Sequence, residues 1–237
     1  MSSLNGAVVL VTGANGGIGT HFVYEALARG ASKVYATARN PRVWDDERII
    51  PLVLDVTDQA SIQAAVEAAG DVTVLINNAG AAVASAGILT HTDEEIRANV
   101  ETNFLGPLFV ARAFAPVLST NDKSVLIDMH SALSWYAVAG IYSATKAALW
   151  SATNSLRLEL APAGVQVVGV HVAYVDTPMA ANSTDPKTAP ADLVTIVLDA
   201  VAAGKHEVLA DATSAQLKAG LSAPLEAVYP QLSSPRA

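Results

Sequence analysis

Short apolar runs, several rich in valine, alternate along the chain with longer stretches whose apolar residues recur every three or four positions. Residues 7–11 form the first run, bounded by Asn5-Gly6 and Thr12-Gly13, and their unbroken hydrophobicity predicts a strand buried on both faces. Runs of the same kind predict strands over 33–38, 50–54, 72–76, 124–129, 165–171 and 206–209. Helical spacing predicts helices over 18–29, 58–69, 142–160, 191–203 and 214–221. Another runs from Asp93 to Leu118 with a break allowed near Asn103, and Thr92 with Glu95 makes a capping box at its start. Residues 40–48 are polar and short, a weak helix at best. Strand and helix in alternation imply parallel strands joined by right-handed crossovers. The expected architecture is a doubly wound α/β fold, a parallel seven-stranded sheet with helices on both faces.

Composition narrows the picture. A chain of 237 residues, 51% hydrophobic and 15% charged, can bury one substantial core, so a single domain over 1–237 is expected. It contains no cysteine, which removes disulfides and thiolate chemistry. A formal charge of −8, from 14 basic and 22 acidic residues, disfavours attraction to nucleic acid. The first apolar run follows no basic region and is too short to span a bilayer, so no membrane partner and a cytoplasmic location are expected. Two loops stand out, 81–92 and 174–190, the second holding three prolines and reading as long and mobile.

The candidate chemistry sits at strand ends. In TGANGGIG, Gly13, Gly17 and Gly19 lie between the first strand and first helix, where a phosphate can approach bare backbone and helix N-terminal amides. In YSATK, Tyr142 and Lys146 are four apart on a helix and share a face, so an ammonium beside the phenol is expected to favour its ionised form. The five histidines lack the spacing of a metal pair, and strand alternation turns His130 away from its neighbour Ser131.

TGANGGIG, DVT at 55–57, NNAG at 77–80 and YSATK, in that order and each at a strand end, resemble the short-chain dehydrogenase/reductase superfamily over essentially the whole chain. The resemblance implies a Rossmann fold and an NADP-dependent carbonyl reductase or alcohol dehydrogenase. It implies Asn103, Ser131, Tyr142 and Lys146 as the catalytic set, with Tyr142 the general acid and base. The cofactor would be held by Gly13, Asn15, Gly17, Ile18 and Gly19, by Arg39, Asp55 and Val56, and by Asn77, Ala79 and Gly80. Tyr142, Lys146, Val175 and Thr177 would complete that set. Asn77 has an equal second reading as a tie between strands, and Asp55 one as the cap of the following helix. Ala38 and Arg39 stand where NAD users carry an acidic residue, so preference for NADP(H) over NAD(H) is expected. The partners implied are a small carbonyl or alcohol and a second copy of the chain, as homodimer or homotetramer.

Two departures from the family pattern matter. Val172-Ala173 replaces the usual Pro-Gly, and Ser131 precedes Tyr142 by eleven residues, about two fewer than usual. The connection between them must run tighter, with Trp135 and Tyr136 either lining the pocket or packing the loop, and Ser134 is a fallback for the serine role. The alternative reading is a non-catalytic dinucleotide-binding sensor or structural protein. An extended-branch epimerase is disfavoured because no sizeable C-terminal substrate domain follows.

Overall fold

Seven strands, among the described residues, lie parallel in the order β3-β2-β1-β4-β5-β6-β7. They are β1 (Val8–Val11), β2 (Lys33–Ala38), β3 (Ile49–Val53), β4 (Val74–Asn77), β5 (Val125–Met129), β6 (Gln166–His171) and β7 (Glu207–Leu209). The computed structural model describes residues 4–82, 87–121 and 123–233, so part of the predicted 81–92 loop and Pro235 of the tail lie outside it. The helices are α1 (Gly17–Ala28), α2 (Gln59–Ala68), α3 (Asp93–Val100), α4 (Gly106–Leu118), α5 (Ile141–Leu160), α6 (Pro190–Ala202), α7 (Ala212–Ala219) and α8 (Leu225–Val228). This is the doubly wound Rossmann architecture. None of them is long and apolar enough to cross a membrane.

Alternation along each strand divides the core into two layers. Val74, Ile76, Val125, Ile127, Val168 and Val170 face one layer with Phe22 of α1 and Leu193 of α6. Leu75, Leu126 and Val167 face the other, with Ile62 of α2, Phe114 of α4 and Leu156 of α5. The outer strands β3 and β7 are less buried than the central ones, β3 the most exposed of all. β3 is an edge strand, and Pro51 sits there, where the missing N–H removes no bond a central strand would need.

The break expected near Asn103 is a π-turn over Glu101–Leu105, in which the Gly106 N–H reaches back to the Glu101 carbonyl. Pro107 follows, with no N–H to give and a ring that crowds the preceding turn, so the ladder widens ahead of it. The capping box of Thr92 and Glu95 is present, with bonds of 3.2 and 2.8 Å. Residues 40–48 form no helix. Trp44 instead packs edge-on against Tyr24 of α1, beneath the Arg42 guanidinium. The cap on α2 is Asp58, which accepts from Ala60 N, rather than Asp55.

The chain turns from β1 into α1 through very little space. Gly13 has φ +66, and a Cβ on Gly19 would stand 2.3 Å from the Gly13 carbonyl oxygen and 2.8 Å from Asn78 Nδ2. Backbone, which cannot swing aside, blocks that Cβ. Gly19→Ala should therefore lower unfolding free energy by about 1–3 kcal/mol, read as a fall in urea midpoint at unchanged slope. An unchanged midpoint would refute the tight packing.

Candidate active site

The carboxyl ends of β1, β2, β4 and β6 border a groove of about 910 Å³. Gly13, Asn15, Gly16, Gly17 and Ile18 form its floor, Ala38 and Arg39 one rim, Asp55 and Val56 a second, and Ala79 and Gly80 the side toward α5. Thr177 closes the far side, its Cγ2 so near Gly17 that a Cβ there would stand 2.8 Å away. Gly16 caps α1 with no side-chain bond, so no side chain covers the first amides of that helix. A cradle of bare backbone opposite a helix N-terminus fits a diphosphate.

The walls are tied together by side chains that the motif reading passed over. Thr12 Oγ1 accepts from the backbone N–H groups of Asn78 and Ala79, at 3.0 and 2.9 Å. Asn78 Nδ2 donates to the Thr12 and Gly13 carbonyls. Their signal was available, since Asn78 lies inside NNAG and Thr12 begins TGANGGIG. Asn15 Nδ2 donates to the Asn40 carbonyl at 2.7 Å and so fastens the turn to the β2 loop. Asp55 Oδ1 accepts from both N–H and hydroxyl of Thr57, and these bonds, with a smaller pull from Arg39, hold its carboxyl below the usual range.

Three of the predicted binding residues stand behind the wall rather than on it. Gly19 is enclosed by the turn, and Val175 is buried in the apolar layer of α1 and α6. The Asn77 side chain turns inward, donating to the Pro107 carbonyl at 3.0 Å and to Asp128 Oδ1 at 2.9 Å, so it ties β4 to β5 and α4. The loop from 174 to 190 is pinned at its base by a Val175–Thr188 bridge, with Asp176 N to Thr188 O at 2.9 Å and Thr188 N to Tyr174 O at 2.8 Å.

Two members of the proposed catalytic set, Asn103 and Lys146, meet the groove at Gly80. A Cβ on Gly80 would stand 3.2 Å from Asn103 Oδ1 and 3.9 Å from Lys146 Nζ. Asn103 is fully buried in the π-turn, where its amide accepts from Ala81 N at 2.9 Å and donates to Ala81 O at 2.7 Å. Lys146 Nζ donates to the Met129 carbonyl at 2.7 Å and lies 5.8 Å from the Tyr142 ring centre. Ser131 caps the short turn Ala132–Ser134 through Leu133 N, and its hydroxyl also pulls the Tyr142 pKa down.

Burial, however, raises the Tyr142 pKa above its ordinary value, against the hydrogen bond from Ser131. The net shift is therefore opposite to the one expected from a neighbouring cation, with burial the largest influence on the phenol. Burial pulls the Lys146 pKa down to about 8, against an opposing effect from Asp128.

Trp135 packs rather than lining the groove. It stacks on His171 with ring centres 3.8 Å apart and meets Trp150 edge-on, with Lys218 above both. Tyr136 stacks on Tyr229 beyond α8, a contact between segments more than ninety positions apart for which no local pattern gives a signal. Val172 ends β6 by accepting from Ala132 N, and Ala173 N donates to Asp211 at 2.6 Å. Ser134 is buried in the turn with its hydroxyl unpaired.

A family model for short chain dehydrogenases matches residues 7–188, and the chain belongs to that family. It is 36% identical to a short chain dehydrogenase from Burkholderia cenocepacia J2315 solved in complex with NADP, covering 98% of this chain and 99% of that one with a TM-score of 0.90. A short-chain dehydrogenase from Sphingobium yanoikuyae in complex with NADPH is 26% identical, covering 98% and 96% at a TM-score of 0.79. An NADP-dependent 3-hydroxy acid dehydrogenase of Schizosaccharomyces pombe is 27% identical over 241 residues, 89% of this chain and 93% of that protein.

The Lys146 shift has a thermodynamic consequence. Below about pH 8 folded and unfolded chains both carry the ammonium, and the burial cost is fully present. Between about 8 and 10.5 the folded chain sheds the proton while the unfolded chain keeps it, so stability from this group rises with pH, by a few kcal/mol in all. Lys146→Met should lack that rise in urea midpoints measured across the window. A parallel pH dependence in variant and wild type would contradict a depressed Lys146.

Proposed function

We propose that this protein is an oxidoreductase that prefers NADP(H) over NAD(H) and interconverts a small ketone or aldehyde with its alcohol, Tyr142 acting as general acid and base. The observation that most supports this reading is that Asn103 and Lys146 meet at Gly80 on a glycine-floored groove whose rim carries Arg39, with Tyr142 next to Lys146 and Ser131 next to Tyr142. The backbone of the Gly13–Gly19 turn, with Asn15 and Ile18 beside it, would hold the dinucleotide phosphates. Asp55 and Val56 would take the adenine, while Ala79, Gly80 and Thr177 would flank the nicotinamide end, with Val175 packed behind that wall. The nicotinamide supplies or accepts the hydride when bound.

Each catalytic side chain then has a definite task. Tyr142 gives its proton to the carbonyl oxygen in reduction and removes it in oxidation. Ser131 donates a hydrogen bond to that oxygen, which holds it within reach of the phenol. Lys146, next to Gly80, binds the ribose, and the bond from Lys146 to Met129 O keeps the ammonium at that height above β5. Asn103 clamps the backbone of Ala81 and thereby holds the groove wall against Lys146, beside the path by which the proton is exchanged with solvent.

Tyr142→Phe removes only the hydroxyl, so turnover with a panel of ketones should fall below about a tenth of wild type while NADPH affinity is retained. Turnover above that level, a barrier change under ~1.4 kcal/mol, would reject the assignment.

Arg39 is exposed at the rim and Ala38 presents no carboxylate to repel a 2′-phosphate. Arg39→Ala should raise KM for NADPH by about tenfold or more and leave KM for NADH nearly unchanged. Equal effects on both, or a wild type more efficient with NADH, would overturn the NADP(H) preference.

Self-association through α4 and α5 completes the reading. Leu158 of α5 leaves 77% of its surface exposed, apolar area that a second copy would cover. Sedimentation at micromolar concentration should give a homodimer or homotetramer, and a monomer would contradict it.

A further inference from the structure

The interior behind Ser131 holds more titratable groups than the proposed reaction uses. Asp128 of β5, His130 just beyond it, Thr153 of α5 and His171 at the end of β6 are all buried and lie in one row of hydrogen bonds. Asp128 Oδ1 accepts from Asn77 Nδ2, and Asp128 Oδ2 lies 2.7 Å from Thr153 Oγ1. Thr153 Oγ1 is 2.9 Å from His130 Nε2, and His130 Nδ1 is 3.1 Å from His171 Nε2. The row ends where His171 Nδ1 meets the Ser131 carbonyl oxygen at 3.1 Å.

Counting donors from the Ser131 end places the protons. A carbonyl only accepts, so His171 Nδ1 carries hydrogen. On a neutral His171, Nε2 is then a lone pair, and His130 Nδ1 must donate to it. A neutral His130 in turn presents a lone pair at Nε2, to which Thr153 donates its single hydroxyl hydrogen. Thr153 Oγ1 now faces Asp128 Oδ2 as an acceptor, and the 2.7 Å contact is a hydrogen bond only if Asp128 is protonated. An ionised Asp128 would require an imidazolium at His130 or His171. The Leu149 carbonyl, 2.9 Å from Thr153 Oγ1, is a competing acceptor, but a hydroxyl turned to it would leave His130 Nε2 unpaired unless that histidine were charged.

We propose that His171 is a positioning residue for Ser131, held as its Nδ1–H tautomer by an uncharged row that begins at a protonated Asp128 and passes through Thr153 and His130. The positioning role rests on the functional reading of Ser131, whereas the proton arrangement does not. The surroundings favour the neutral form at each member. Burial raises the Asp128 carboxyl despite Thr153, Asn77, Lys146 and Arg157. Burial also drives His130 well below its ordinary value, helped by His171, Lys146 and Arg157. It takes His171 to about 4, where the Ser131 carbonyl and Glu207 oppose and Lys218 and Arg157 assist.

The row has a structural use. His171 holds the Ser131 carbonyl through Nδ1 while Trp135 stacks on its ring face, so one imidazole grips the short Ser131–Tyr142 connection at two points. Gly169 on β6 leaves room for this, since a Cβ there would stand 2.7 Å from His130 Cε1.

Nitrogen-15 NMR of the imidazoles in the full chain without cofactor tests the proton arrangement. From about pH 5.5 to about 8, His130 and His171 should both show a protonated Nδ1, a bare Nε2 and no titration. Asp128→Asn is the discriminating variant. Its amide N–H can donate to Thr153 as the acid O–H does, so both patterns and the urea midpoint should be unchanged. An Nε2–H tautomer or an imidazolium at either residue at neutral pH, or a tautomer switch in Asp128→Asn, would overturn the arrangement. For the positioning role, His171→Phe keeps a ring under Trp135 but no N–H, and kcat in the carbonyl panel should fall about tenfold with the NADPH dissociation constant within about twofold. His171→Asn, which restores an N–H near the Nδ1 position, should recover part of that loss. Wild-type kcat in His171→Phe, or no recovery in His171→Asn, refutes positioning. An inactive wild type refutes the functional reading and the positioning role together, and the NMR still decides the protons.

Discussion

A buried ammonium has to find an acceptor, and at the active end of this sheet the acceptor is the Met129 carbonyl. That one bond brings the first turn and a half of α5 down onto the end of β5, which places Tyr142 beside Ser131 and Lys146 beside Gly80. Because burial lowers the Lys146 pKa to about 8, the ammonium is held at a cost that the rest of the fold offsets. Asp128 bears on the same balance. An ionised Asp128 would ease that cost, and the proton proposed on its carboxyl leaves the Met129 carbonyl as the principal partner of the ammonium.

The groove exists because side chains are missing at the right places. Gly13 and Gly19 let the β1–α1 turn close on itself, and Thr12 and Asn78 draw the end of β4 against it with two backbone N–H groups and two carbonyls satisfied on the way. Satisfying those groups matters, since an unpaired buried amide would cost about as much as a whole hydrogen bond contributes. Thr177 then reaches Gly17 from the loop after β6, so three strand ends share one wall.

The connection between Ser131 and Tyr142 shows how a short segment is held without regular structure. Its backbone is fixed at one end by Ala132 N on the Val172 carbonyl and at the other by Ser143 Oγ, which donates to Tyr136 O and accepts from Ala139 N. Its side chains are fixed by aromatic stacking, Trp135 on His171 and Tyr136 on Tyr229. The Val172-Ala173 departure fits this arrangement. Val172 is buried in the core layer, and Ala173 has an N–H for Asp211, the residue that caps α7. The C-terminal elements are thereby coupled to the loop that carries the candidate serine.

Periodicity alone determined the sheet, its parallel sense and nearly every element, with ends displaced by a residue or two, because valine-rich runs and helical spacing are local and strong signals. The motifs likewise marked the glycine turn, the strand-four end and the Tyr142–Lys146 pair. Tertiary structure decided what depends on which distant groups meet. Asn77 was ambiguous in sequence, and its inward turn follows from Asp128 and the Pro107 carbonyl, thirty or more positions away. The same holds for the Tyr142 pKa, where burial by remote elements outweighs the hydrogen bond from Ser131. His171 gave no sign in sequence of any partner. Its hydrogen bonds to His130 and Ser131 arise because β6 lies beside β5 in the sheet, and that adjacency sets the chemistry of each.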